Sequence, residues 1–232
     1  MSAILRVHCS PPSDASRTGG VLLWPRVSAE ESTRIAVFID WQNTWHAARE
    51  AFGWTGFPNE YGNYSPLRLA ELLAEGKDRR ERARLVRVNI HRGLPSNKRD
   101  PQGCGAVRRQ AQAWISQNPE LVVPRLRPLR YYGAAAEPRE KGVDVDMAVQ
   151  ALRFVLAGEC EVAVLFTHDT DLLPAVEAIA DLRGGHSVET ASWVAKGFRS
   201  RLRIQRRIYH HELDRHSFAW VEQRVNFAYK GG

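Results

Sequence analysis

Apolar residues in this chain gather into short unbroken runs, separated by stretches of helical or turn character. Residues 35–39 (Ile-Ala-Val-Phe-Ile) and 162–166 (Val-Ala-Val-Leu-Phe) are continuous apolar runs of strand length. They show no in–out alternation, which is what a strand buried on both faces requires. Residues 85–91 and 187–193 read as two further strands. Between these runs the period becomes helical, predicting helices over 43–52 with Asn43 as N-cap, over 66–75 opened by Ser65-Pro66, and over 106–117. A fourth helix spans 141–157 and stops at Gly158, and a fifth runs from the Asp171 region to about 182 with Pro174 in its first turn. Residues 121–131 hold strand formers broken by Pro124 and Pro128, which confines them to an irregular or edge strand. Strands alternating with helices of this length predict an α/β fold whose central, mainly parallel sheet is covered on both faces. The expected organisation is an irregular N-terminal extension over 1–32, a domain over 33–210, and a C-terminal extension over 211–232 that packs on or trails the domain.

Composition adds little to this picture until charge is mapped along the chain. The 232 residues are 44% hydrophobic and 25% charged, enough for one domain with a sizeable core. No apolar run is long enough to span a bilayer and the first residues lack a signal-peptide core, so a soluble, cytoplasmic protein is expected. Cys9, Cys104 and Cys160 are scattered and form no Cys-x-x-Cys pair, which excludes a cysteine zinc site and a disulfide framework. The net charge of +7 is uneven: −2 over residues 1–76, +10 over 77–130, −6 over 131–198 and +5 over 199–232. An acidic block between two basic ones suits a protein that holds a cation in carboxylates and a polyanion on the surrounding surface, although solvated faces give the same pattern.

The acidic residues concentrate at one kind of position. Asp40 closes the first buried run, and Asp169 and Asp171 follow the run that ends at Phe166. In open α/β sheets ligands bind outside the carboxyl ends of the strands, so these carboxylates converge if the two strands are neighbours. Asp144 and Asp146 open the helix at 141–157; two residues apart, they cannot both face one site, and Asp144 is preferred with Asp146 as fallback. Clustered carboxylates repel and raise one another's pKa, a conflict that a divalent cation resolves. Carboxylate ligands suit Mg²⁺ or Mn²⁺ better than zinc. Each residue also has a structural role open to it: Asp171 as an N-cap, Asp144 and Asp146 as partners of the helix dipole. Asn43 and Thr167 are placed to orient a carboxylate or a water, or to serve as cap and turn residues, and His168 offers a proton shuttle or a turn filler.

Three segments carry a family resemblance. Phe38-Ile39-Asp40-Trp41-Gln42-Asn43 resembles the opening strand of NYN domains, with an Asp and then an Asn three residues later. Lys141-Gly142-Val143-Asp144-Val145 resembles the family's Lys-Gly-Val-Asp-Val helix start, and Thr167-His168-Asp169-Thr170-Asp171-Leu172 its Ser-Gly-Asp-x-Asp-Phe segment. The resemblance covers roughly residues 34–195. It implies a PIN-like three-layer α/β/α sandwich and Mg²⁺- or Mn²⁺-dependent RNA cleavage. Asp40, Asp144, Asp169 and Asp171 would be the metal-binding carboxylates, supported by Asn43 and Thr167. The chain departs from the pattern at Trp41 and His168, where small residues are usual, and at Gln150 and Leu172.

For such an enzyme, Arg92, Lys98 and Arg99 after the second strand, Arg108 and Arg109 in the following helix, Lys141, and Arg199 and Arg201 near the C-terminus are the candidate RNA-binding residues. Arginine's planar fork suits phosphate. Trp41, Trp193, Tyr131 and Tyr132 are candidates for stacking on bases or for packing. The alternative is a catalytically weak or inactive PIN-like RNA-binding module. A HAD-type phosphatase is disfavoured because Gln42 stands where that chemistry needs a second Asp, and a Rossmann dehydrogenase because no Gly-x-Gly-x-x-Gly follows the first strand.

Overall fold

The computed structural model describes residues 32–79, 83–133, 138–199, 202 and 206–228. The expected extension over 1–32 therefore lies, except for its last residue, outside the described residues, as does Arg201.

The chain runs β1 (Thr33–Asp40), α1 (Trp41–Ala51), α2 (Pro66–Arg79), β2 (Ala83–Leu94), α3 (Pro101–Ile115), β3 (Val122–Pro128), α4 (Val143–Leu156), β4 (Val162–Phe166), α5 (Leu173–Arg183), β5 (Val188–Ala195), β6 (Phe198–Arg199), β7 (Tyr209–Leu213) and α6 (Arg215–Val221). Six strands form a parallel sheet in the order β3-β2-β1-β4-β5-β7, and the short β6 pairs antiparallel with the end of β5. The α/β sandwich with a mainly parallel sheet is thus borne out. From β1 the chain first winds outward through β2 to β3, then returns through α4 to place β4 on the other side of β1. The strand order reverses between β1 and β4, so a crevice opens at their carboxyl ends. Ile39 lies opposite Phe166 in this pair, which brings Asp40 and Thr167 side by side just beyond the last paired residues.

Side chains alternate faces along β1, and both faces are buried. Ile35, Val37 and Ile39 pack with Trp41, Leu69, Leu73, Trp114 and Phe218 from α1, α2, α3 and α6. Ala36 and Phe38 pack with Met147, Ala151, Phe154, Val176 and Ile179 from α4 and α5. Asp40 follows the parity of Phe38 and so comes to the α4 side. β3, interrupted by Pro124 and Pro128, is an edge strand as expected, where a missing N–H costs no ladder bond.

Two expectations are corrected and one open choice is decided. The N-cap of α1 is Asp40, whose side chain accepts from the Asn43 N–H, rather than Asn43 itself. Arg92 lies within β2, not in a loop, because that strand continues to Leu94. Trp41 and Trp193 are fully buried core residues, not stacking surfaces: Trp41 packs against Tyr64 and Trp114 at ring distances of 4.5 and 4.4 Å, and Trp193 against Phe166 at 5.0 Å.

β7 extends the sheet across the expected boundary at residue 210, and α6 buries Phe218 and Val221 in the core. The chain beyond α6 is laced to the domain. Ser65 N donates to Val221 O at 2.8 Å, Gln223 N to Asn63 O at 3.0 Å, and Asn63 Nδ2 to Val225 O at 2.9 Å. The Arg109 guanidinium donates to the carbonyls of Phe227 at 2.7 Å and Ala228 at 3.2 Å. Among the described residues, no helix is long and apolar enough to cross a membrane.

Candidate functional site

Three elements bring a carboxylate each to the crevice. Asp40 arrives from the end of β1 and is almost wholly buried, at 3% exposure. Asp144 sits in the first turn of α4. The turn into that helix is made by Gly142 at φ 78°, a left-handed conformation that strains residues with a side chain. Asp169 follows β4 and caps the single 3₁₀ turn of residues 170–172 by accepting from the Asp171 N–H at 2.9 Å. Each of Asp40, Asp144 and Asp169 offers an oxygen within 4.8 Å of the other two. Asp171, the fourth carboxylate expected here, is exposed and outside this triad, though near enough for its charge to raise the pKa of Asp144.

The neighbours of the triad hold it in place without neutralising it. Asn43 Oδ1 accepts from the His168 N–H at 2.7 Å, and Thr167 Oγ1 accepts from the Asp169 N–H at 3.0 Å. The same hydroxyl lies 3.4 Å from both Asp40 Oδ2 and Asn43 Oδ1. The turn after β1 and the turn after β4 are thereby tied together. Among the described residues, no lysine, arginine or histidine is ion-paired with Asp40, Asp144 or Asp169. Burial pushes the Asp40 carboxyl up to about 7, opposed by the Asn43 N–H and reinforced by Asp144, Glu140 and Asp169. Asp144 is raised by burial and then by Asp169 and Asp171. Oxygen-only donors with an uncompensated negative charge fit a hard divalent cation.

Asp146 is committed elsewhere. It accepts from Arg125 Nε at 2.8 Å and pairs with His91 Nδ1 at 3.1 Å, and these two hold its carboxyl far below the usual range. It anchors the start of α4 to β2 and β3 and leaves Asp144 to the crevice. Gln150 accepts from Arg153 Nε at 3.2 Å, and Leu172 is buried. His168 Nε2 accepts from the Trp193 N–H at 3.1 Å, which fastens the β4 turn to β5, and burial lowers its pKa to about 4.

Sequence reasoning missed two titratable residues here. Glu140 accepts from the Gly93 N–H at 3.1 Å, exerts its charge on Asp40 and Arg92, and is itself raised by burial and by Asp144. Its signal was its place directly before the Lys141-Gly142 turn. His91 is buried beside Phe38 and had no sequence signal beyond ending an apolar run.

The basic residues divide by what they already bind. Lys98, Arg108 and Lys141 are exposed. Arg99 donates to Gly133 O at 2.7 Å and lies 4.9 Å over the Tyr131 ring, while Tyr132 beside it is exposed. Arg109 is occupied by the C-terminal carbonyls, and Arg92 hydrogen-bonds Gln110 Oε1. Arg199 lies in β6 next to the end of β5; its side chain is outside the described residues, with Arg201.

The chain matches the NYN domain family over residues 34–205, a segment that contains all four motif carboxylates. No curated protein matches it. Among solved structures it is similar to a protein of unknown function from Vibrio parahaemolyticus, with a TM-score of 0.53 at 15% identity, over 82% of this chain and 98% of that one. At that identity the likeness speaks for the fold alone. The order of the motifs, the parallel sheet that carries them and the match across most of the chain agree: this protein belongs to the NYN domain family, whose members are PIN-like nuclease domains.

Proposed function

We propose that this protein is a metal-dependent endoribonuclease that hydrolyses RNA phosphodiester bonds at the Asp40–Asp144–Asp169 cluster. The observation that carries this reading is the convergence of three carboxylates within 4.8 Å with no cation paired to them among the described residues. Such an arrangement is unfavourable by itself and becomes favourable around a divalent ion. Mg²⁺ or Mn²⁺, the ions that suit all-oxygen donors, would supply charge neutralisation at the phosphodiester and a lowered pKa for the attacking water.

The chain's own groups then have separable roles. Asp40, Asp144 and Asp169 hold the ion, and Asp171 adds negative charge at the rim. Asn43 and Thr167 fix the two turns so that the oxygens of Asp40 and Asp169 keep their relative position. Lys98, Arg108 and Lys141, exposed and without a carboxylate partner among the described residues, are suited to the phosphates that flank the scissile bond. Arg125 and Arg127 border the same edge beside Asp146. The burial of Trp41 in the core removes the obstruction that would favour an inactive binding module. RNA as the substrate follows from the family.

The test is cleavage of labelled single-stranded and structured RNAs in Mn²⁺, Mg²⁺ or EDTA, beside an Asp169→Asn variant. Metal-dependent cleavage that the variant loses is the expected result. Intact RNA in every condition, with salt-sensitive binding retained, would overturn catalysis in favour of a binding module.

A further inference from the structure

A cavity of about 230 Å³ opens where α1 leaves the end of β1, on the α1 and α3 side of the sheet. Trp41 and Gln42, the two residues after Asp40, form one side with Trp45; Arg92 and Gln110 form another, and residues 225–228 close it. Glu140 connects the cavity to the carboxylate cluster, since it accepts from the N–H of Gly93, next to Arg92, at 3.1 Å and its charge acts on Asp40.

Its chemistry is specific. The cavity is below the roughly 300–1,000 Å³ common for drug-sized ligands, which suits a single ring system. Asn59, Asn63, Gln42, Gln110 and Asn226 line it with carboxamides beside the Glu60 carboxylate. Asn63, Gln110, Asn226 and Gln42 each spend part of their capacity within the chain, and what is left, with Asn59, offers donors and acceptors as the edge of a base does. The Trp45 indole is partly exposed there, with the Arg49 guanidinium 4.7 Å over the ring and the His46 ring edge-on to it at 4.7 Å. Arg92 is set into the wall, where among the described residues it hydrogen-bonds only the neutral Gln110, and burial lowers its pKa to about 10, opposed by the charge of Glu140. A desolvated guanidinium held by an amide is suited to an incoming phosphate or carbonyl oxygen.

We infer that this cavity receives one unpaired base of the RNA, held between Trp45 and the carboxamides, so that the neighbouring phosphate passes Arg92 on its way to the carboxylate cluster. The inference rests on the nuclease reading for the identity of the ligand as RNA. It adds that the enzyme selects a nucleotide at a fixed distance from the cut and requires that nucleotide to be unstacked.

The test separates the two. Binding of the full chain to a short labelled single-stranded RNA is measured in EDTA, so that the RNA stays intact, with one abasic site moved through every position. One position should weaken binding about ten-fold when its base is removed, and that sensitivity should vanish in Trp45→Ala and be reduced in Gln42→Ala, a milder change that leaves the indole in place. A flat scan, or a scan that neither variant alters, overturns the inference even if the RNA is cut normally when Mn²⁺ is restored. A position-specific scan on RNA that is never cut upholds the cavity and sinks the nuclease reading instead. A free nucleoside monophosphate that binds as tightly as the RNA and competes with it would overturn the inference in favour of a small nucleotide ligand.

Discussion

Replacing Asp40 by Asn should make the metal-free protein more stable while removing its response to metal. The Asp40 carboxyl is raised by burial from an ordinary 3.8 to about 7, so its ionisation opposes folding. A raised folded-state pKa contributes stability that is complete below the unfolded value and is lost as pH rises through the folded value. At about 1.4 kcal/mol per pKa unit, the cost of ionising Asp40 in the fold reaches about 4 kcal/mol at neutral pH and shrinks to about 1 kcal/mol near pH 4.5. Asn keeps an oxygen to accept from the Asn43 N–H and does not ionise, so the Asp40→Asn variant escapes that cost. For a chain of this length each kcal/mol shifts Tm by roughly 2–4 °C, which puts the gain at up to about 8–16 °C at pH 7.5 in EDTA. Thermal unfolding followed by circular dichroism at pH 4.5 and 7.5, with EDTA or Mn²⁺, reads all of this. The wild type should gain stability from Mn²⁺ and close the gap, whereas the variant should not respond. An equal Tm for the two proteins at pH 7.5 in EDTA, or a variant advantage as large at pH 4.5 as at 7.5, would refute the electrostatic account of the cluster.

Two further outcomes test the scaffold around it. His168, lowered to about 4 by burial, contributes stability that is present above its ordinary 6.5 and lost as pH falls toward 4, at most about 3 kcal/mol; urea unfolding of His168→Gln across that window should lose the acid sensitivity, and an unchanged pH slope would count against the buried neutral ring. Asp146→Ala leaves buried His91 and the Arg125 guanidinium without their shared carboxylate, which should cost about 3 kcal/mol and weaken Mn²⁺ protection by loosening the start of α4; an unchanged denaturation midpoint would show that the pair anchors nothing.

Much of this architecture was legible because a strand covered on both faces has no reason to alternate. The runs at 35–39 and 162–166 are such strands, and an acidic residue within three positions of the end of each marks the edge of the sheet where the carboxylates gather. What periodicity could not decide was which of Asp144 and Asp146 faces that place. Two residues apart on a helix they point to different sides, and the choice depends on His91 and Arg125, which come from β2 and β3 and are distant in sequence. β7 was invisible for a related reason: Tyr-His-His-Glu-Leu has no apolar pattern, and its buried His211 is accommodated by Glu189 of β5, with His211 Nε2 and Glu189 Oε2 2.8 Å apart. Whether Trp41 and Trp193 stack or pack was left open by the sequence, because burial of an aromatic is set by the elements stacked over it, which local composition does not record.

The laced C-terminal chain gives the cavity a wall that the family match does not cover. Every carboxylate of the cluster lies inside the segment that matches the family, residues 34–205, whereas the wall contributed by residues 225–228 lies beyond it. That wall is held through main-chain carbonyls, by Arg109 and Asn63, and through the Asn226 side chain, whose Nδ2 donates to Glu60 Oε2 at 3.3 Å. Substitutions there would change the lining of the cavity without touching Asp40, Asp144 or Asp169. The part of the cavity that lies beyond the family match can therefore be relined while the carboxylate cluster is left alone.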